Sequence, residues 1–438
     1  MLQEPGRDQK DPVVVTETNK LITFHCFTGN EETAVERNSY VISAIIISLL
    51  LTASFAVLSS NPNDISASVG SGGTGVPDTE WYDDVSLSFT INNADELAGL
   101  AQIVNGTAPG ITKDSFLNKT VTIGDDIDLS LYGPTFNGGK GWVHIGDQFA
   151  DSFKGTFDGN GKIISGLYVN AVSGEDSYYV GLFGVVHQGA VKNVAVVGAD
   201  ITGKEYVGGI AGSVGMGASI ANCYSSGTVA GDKYVGGITG ISGYNGTVTD
   251  CFSSCNVSGN KFVGGITGYE ESRGVTSRCY STGSVSGTDS VGGIVGLVDG
   301  TVTDCAALNP SVSGEQNVGR VAGRVGTGSS ENSIALSSMD APKSGGGDNG
   351  TSVSLSRIAS DGTLGGRFTE ENGWTTENGK LPGLFGNAEE FPDHMATAQT
   401  PAAAPPTTQV IIFVAVAITA LILVVLASFA LRRPGRKG

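Results

Sequence analysis

The tetrapeptide Val-Gly-Gly-Ile stands at 207–210, 235–238, 263–266 and 291–294, in steps of 28 residues. A fixed step of that size restricts the chain to folds made by stacking one unit on the next. Degenerate copies, Val180-Gly181-Leu182-Phe183 and Val318-Gly319-Arg320-Val321, extend the series by 27 residues at either end, so six units are visible. Each unit has a second landmark: Asn222-Cys223-Tyr224-Ser225, Asp250-Cys251-Phe252-Ser253, Arg278-Cys279-Tyr280-Ser281 and the shorter Asp304-Cys305. The third is a valine two residues before a glycine, as in Val229/Gly231, Val257/Gly259, Val285/Gly287 and Val312/Gly314.

Between these landmarks lie short pieces rich in Val, Ile, Thr, Tyr and Ser, bounded by Gly, Asn and Asp, with no helical period. A propeller blade needs about 40 residues and four strands, and a sandwich has no need of copies at fixed spacing. The reading is all-β, a parallel β-helix or β-solenoid of about 28-residue coils. Stacking at about 4.8 Å aligns equivalent residues in columns. Val207, Val235, Val263 and Val291, with Ile210, Ile238, Ile266 and Ile294, then form two inward columns that exclude water. The glycine pairs mark a corner where φ is positive or where backbones approach too closely for a Cβ. Cys223, Cys251, Cys279 and Cys305 form another inward column. Parallel Cβ vectors suit free thiols better than Cys223–Cys251 and Cys279–Cys305 bridges, and Cys255 lies too close along an extended run to reach Cys251.

The coils from about 180 to 325 resemble GLUG repeats, and Phe153-Lys154-Gly155-Thr156-Phe157-Asp158-Gly159-Asn160-Gly161-Lys162-Ile163-Ile164-Ser165-Gly166-Leu167 resembles the lead-in of such surface proteins. The resemblance covers about 90–385 and implies an architecture. It implies no single activity, because the repeat is a scaffold carried by proteins of differing function.

Asn93-Ala94-Asp95-Glu96 reads as a capping box. With Leu97, Leu100, Ala101 and Val104 at helical spacing, it predicts a short helix over about 94–104 that covers the open end of the solenoid. Residues 121–123 and 127–129 read as the first strands. Trp374 and Leu381-Pro382-Gly383-Leu384-Phe385 resemble the family's closing element.

Two apolar runs frame this region. Residues 410–431 hold 22 uncharged residues followed by Arg432-Arg433-Pro434-Gly435-Arg436-Lys437. That is long enough for a transmembrane helix, with the basic tail on the cytoplasmic side. Residues 41–58, preceded by Arg37, read as a signal sequence or a signal-anchor helix. The expected organisation is a polar extension at 1–40, the apolar run at 41–58, a linker at 59–84 and a cap with the first coils at 85–179. Repeats at 180–338 and a closing segment at 339–390 follow, then a Pro/Thr/Ala stalk at 391–409, a membrane helix at 410–431 and a basic tail at 432–438. Residues 59–409 would be extracellular, on a chain that crosses the cell membrane once or twice.

Sequons stand at Asn105, Asn118, Asn245, Asn256 and Asn349, as suits an exported surface. The net charge of −18 argues against nucleic acid as a partner. No catalytic, cofactor or metal motif emerges. Asp250 and Asp304 share a repeat position with Arg278 between them, which reads as a solvated turn ladder rather than a glycosidase pair. The four histidines are isolated, and no His-Glu-x-x-His occurs. The functional expectation is a non-enzymatic, membrane-anchored surface protein, adhesin-like or envelope-structural. Its partners would be the bilayer, through 410–431, and surface or extracellular glycans or proteins. The ligand-facing candidates are Tyr206, Tyr234, Phe262, Tyr224, Phe252 and Tyr280. The competing expectation is a polysaccharide lyase or hydrolase on the same scaffold.

Overall fold

The computed structural model describes residues 73–341 and 347–396. The expected spans at 41–58 and 410–431, with Cys26 and the stalk beyond 396, lie outside those residues. Among the described residues no helix is long and apolar enough to cross a membrane.

The chain winds into a stack of parallel strands, as the repeat demands. Along one part of the wall nine strands pair in sequence among the described residues. They run from Ser88–Ile91 through Thr120–Ile123, Thr156–Ser165, Ala190–Thr202, Ser219–Ala221, Thr247–Thr249, Val275–Ser277 and Thr301–Thr303 to Ser329–Glu331. Two further parallel sheets complete the coils. One carries the Val-Gly landmark, from Tyr178–Val180 to Gln316–Gly319, and the other the strands after it, from Phe183–His187 to Ala322–Val325.

Register follows the sequence period. Val180, Val207, Val235, Val263, Val291 and Val318 pair in one continuous column. Those valines and Ile210, Ile238, Ile266 and Ile294 are all buried. The aliphatic columns are therefore the core, and each coil buries its apolar residues only because its neighbours cover them.

The glycine pairs answer to the second of the two expected causes. None has positive φ. A Cβ on Gly236 would stand 2.1 Å from the Thr239 carbonyl oxygen, and one on Gly237 would stand 2.2 Å from the Gly265 oxygen. Positive φ falls one corner earlier, on side-chain-bearing residues: Tyr179, Tyr206, Tyr234, Phe262, Ser290 and Asn317 have φ between 51° and 60°. A second left-handed corner repeats at Asn193, Asn222, Asp250, Arg278, Asp304 and Asn332, with φ between 47° and 57°.

The N-terminal helix, α1, spans Ala94–Asn105. Asn93 accepts the Glu96 N–H at 3.0 Å, while Glu96 accepts from the Asn92 N–H at 2.7 Å, so the box closes one residue earlier than its usual form. Leu97, Leu100, Ile103 and Val104 are buried. The first strand is Ser88–Ile91, ahead of the helix and of both strands expected to open the sheet.

At the far end Ile334–Leu336 pairs with Thr351–Val353, followed by the single-turn helix α2, Leu355–Ile358. The chain then turns back and lies along the outside of the coils. Arg367 meets Asn332, Phe368 meets Tyr280, Trp374 meets Asp250 and Phe385 meets Tyr224. Antiparallel bridges Thr375–Gly383 and Leu381–Glu389 make the segment an out-and-back strap. His394 then returns to the Leu308 carbonyl at 2.7 Å. The residues expected to close the solenoid's end thus cover its side.

Candidate functional site

The six aromatic candidates form two ladders, each fixed by the coil period. In the first, Tyr179, Tyr206, Tyr234 and Phe262 stack with ring centroids 4.8, 4.7 and 5.1 Å apart and planes within 15° of parallel. Their left-handed backbone turns the rings outward, and stacking offsets the cost of that conformation. Burial and the neighbouring Tyr206 push the Tyr179 phenol up to about 12. Lys233 lies 4.4 Å over the Tyr234 ring, and Phe149 closes the end of the stack edge-on against Tyr179 at 5.0 Å.

A sugar stacks on the open face of an aromatic ring. Tyr206 and Tyr234 each have a ring on both faces, so they offer edges and hydroxyls instead.

In the second ladder Tyr224, Phe252 and Tyr280 stack at 4.6 and 4.9 Å, with planes within 8° of parallel. The strap covers them. Phe252 and Tyr280 are only 4% and 1% exposed, and the Tyr280 hydroxyl donates to the Pro382 carbonyl at 2.6 Å. Phe368 and Trp374 pack against Tyr280 with centroids 5.6 and 5.7 Å away. Phe252 and Tyr280 are therefore not ligand-facing, and the cover has no period by which to read it.

The acids of the left-handed corner are likewise engaged. Asp250 accepts two bonds from Arg278, at 2.7 and 2.6 Å, and one from the Trp374 indole at 3.1 Å. Asp250 is 7% exposed, so the turn ladder is not solvated at this coil. Its hydrogen bonds hold Arg278 more firmly protonated. Asp304 accepts instead from the Asn332 side-chain amide.

Cys223, Cys251, Cys255, Cys279 and Cys305 are buried free thiols. In the column, each sulfur donates to the carbonyl two residues before it, at 3.1 to 3.3 Å. Burial pushes the Cys251, Cys279 and Cys305 thiols well up, away from reactive thiolate.

One coil carries a fully buried carboxylate. Glu270 is fully buried in register with Ser242 and Val298; it accepts from Thr276, which in turn contacts Thr267 at 3.0 Å. Its second carboxylate oxygen has no partner, and burial raises its pKa well above the carboxylate range. A column-by-column alignment of the repeats would have exposed this glutamate, since it interrupts an aliphatic row.

His144 is buried against the Gly181 carbonyl at 3.0 Å, His187 packs on Phe149 and His394 is exposed beyond the strap, against the Leu308 carbonyl. The three are not brought together, and among the described residues no group of His, Cys, Asp and Glu has metal-binding geometry. Of the sequons, Asn118, Asn245 and Asn256 are exposed and Asn349 half-buried. Asn105 is not available: its amide donates to His144 O at 2.9 Å and its oxygen accepts from Gly146 N–H at 2.8 Å.

Comparison with known proteins places this geometry. The GLUG motif matches residues 203–230, which is one full coil, and the strands of that coil pair in register with those on either side. The protein is a β-solenoid that carries the GLUG motif. A provisionally named Gly-rich membrane protein of Evansella cellulosilytica is 44% identical over 78 residues, 18% of this chain and 8% of the relative. Halomucin of Haloquadratum walsbyi is 31% identical over 173 residues, 35% of this chain and 2% of the relative. This GLUG chain thus matches less than a tenth of the length of these curated relatives. Among solved structures, a provisionally named immunoglobulin A1 protease from Bacteroides ovatus matches with a TM-score of 0.53 at 23% identity. The match covers 72% of this chain and 96% of the other, a likeness of fold alone.

Proposed function

We propose that this GLUG solenoid is a non-enzymatic surface protein, adhesin-like or envelope-structural, anchored in the cell membrane through 410–431 with residues 59–409 outside. The observation that carries the reading is how fully its polar and aromatic repeats are spent on each other. Ring faces stack on ring faces, and Asp250 is bound by Arg278 and Trp374 beneath the strap. Such a wall resists unfolding and proteolysis and presents edges, hydroxyls and turns at a regular pitch. The naming of one relative as a membrane protein and another as halomucin supports the same placement.

The polysaccharide-enzyme reading requires a carboxylate pair open to a chain of sugars. Covered Asp250 does not meet that need. Protease shaving of intact cells tests the topology: release of the folded 73–396 region into the medium by cleavage between it and 410–431 is expected, and its retention on shaved cells refutes the surface assignment. Turnover of any polysaccharide by the purified protein refutes the non-enzymatic part.

A further inference from the structure

The C-terminal end of the solenoid carries a cleft used by neither aromatic ladder. Its volume is about 320 Å³, at the lower edge of small-molecule sites, which run from about 300 to 1,000 Å³. Arg357 and Arg367 both line it, and no aspartate or glutamate is among its lining residues. In a chain of net charge −18 that is a local reversal of sign.

The two guanidinium groups are held differently, and neither is neutralised by an ion pair. Arg367 is oriented by uncharged acceptors: its Nε and Nη2 donate to the Asn332 carbonyl at 3.0 and 2.9 Å, Nη2 also to the Asn332 side-chain oxygen at 3.1 Å, and Nη1 to the Leu364 carbonyl at 3.0 Å, which leaves one Nη1 N–H for a ligand. Arg357 projects from α2, is exposed and enters no ion pair among the described residues. A third guanidinium, Arg320, reaches the lining residue Ser352 at 2.9 Å and has a buried Nε with no partner. The nearby acids are otherwise occupied. Asp304 accepts from Asn332, Asp348 from Ser330 and the Gly350 N–H, and Asp361 from the Thr363 and Gly365 N–H groups.

The rest of the lining divides into polar and apolar parts. Thr351 and Ser352 supply hydroxyl groups, the Asn332 side chain is held between Asp304 and Arg367, and Ile358 and Leu364 form a buried apolar floor. A planar guanidinium pairs best with a planar carboxylate, bidentately. Hydroxyl partners beside an apolar floor suit a pyranose ring, which is polar at its rim and apolar on its face.

We propose that this cleft binds the carboxylate of an acidic sugar, with the Arg357 fork and the remaining Nη1 N–H of Arg367 on the carboxylate, the Thr351 and Ser352 hydroxyls on the ring hydroxyls, and Ile358 and Leu364 beneath the ring. The site stands apart from the surface-protein reading, since its binding is measured on purified protein wherever the chain resides.

The test is ligand-observed NMR on the full chain in detergent, with methyl glucuronide as probe, methyl glucoside as the uncharged control and sulfate as the bare anion. The glucuronide is expected to bind and the glucoside not to. Arg357→Gln is expected to weaken binding about tenfold or more, the effect of losing one charge-assisted pair. Arg273→Gln, remote from the cleft, should leave binding unchanged. Arg357 is exposed, so the variant keeps its fold, and circular dichroism checks this. The proposal is overturned by absence of glucuronide binding, by equal binding of the glucoside, by binding of sulfate alone, or by an Arg357→Gln variant that binds within about twofold of the parent.

Discussion

Trp374 donates its indole N–H to Asp250 at 3.1 Å across 124 residues of intervening chain. The ring also rests on Phe252 and Tyr280 and meets Phe368 edge-on with centroids 4.9 Å apart. It is the point at which the strap is fastened to the wall.

Trp374→Ala is expected to cost about 3–5 kcal/mol of strap stability, the usual loss for a buried tryptophan. The coils should persist, since their valine columns do not include the strap. Limited proteolysis should cut within 365–396 while the β-sheet circular dichroism stays unchanged. Resistance of the strap equal to that of the parent would contradict its fastening role.

Close approach, not backbone conformation, requires glycine at the Val-Gly-Gly corner. Gly236→Val should destabilise by about 3 kcal/mol or more, because its Cβ would meet backbone atoms that cannot yield. Gly198 has φ of 66° with nothing within 4 Å of a Cβ, so Gly198→Ala should cost only about 1–2 kcal/mol, the left-handed penalty. Denaturant titration of both variants gives the comparison, and equal losses would remove the distinction.

Glu270 should make stability fall as pH rises. Its folded pKa lies above its unfolded one, so the native state binds the proton more tightly. Its penalty is absent below the ordinary glutamate pKa of about 4.3 and grows as pH rises from there toward the raised folded value. Glu270→Gln should be more stable than the parent at neutral pH and converge with it at about pH 4. Denaturation midpoints at the two pH values measure this; parallel curves for parent and variant would disprove it.

The buried thiols should resist alkylation in the native state at neutral pH, because burial disfavours thiolate. Peptide mapping after iodoacetamide treatment should find Cys251, Cys255, Cys279 and Cys305 unmodified until denaturant is added. Labelling of Cys279 in the folded chain would show that the column opens.

The coil, its period and its aliphatic and cysteine columns were legible because a solenoid writes its contacts at constant sequence separation, as Val207 and Val235 do. The early rungs were harder. Ser88–Ile91 pairs with Thr120–Ile123 at a different spacing from the later coils, so no period announces it. The left-handed tyrosines were invisible because no local preference places Tyr206 or Tyr234 at φ near 60°; the stack across coils holds them there. The cover over Tyr280 was hidden for a related reason. Its partner Pro382 is 102 residues away in a segment without repeats, and an aromatic ladder reads the same in sequence whether water or a strap lies over it. The arginine cleft joins Asn332 to residues of the irregular closing segment, which has no period from which to place them.

Repeat arrays ordinarily grow or shrink by whole units, since each rung needs only its two neighbours. Here the strap touches Asn332 through Arg367, Tyr280 through Phe368, Asp250 through Trp374 and Tyr224 through Phe385, in one unbroken run of sequence. An extra 28-residue unit inserted between Tyr224 and Asn332 would displace every later anchor by one rung, about 4.8 Å. The strap therefore measures the array it covers: duplication can add length before Tyr224, but within the covered span it must come with a matching change in the tail.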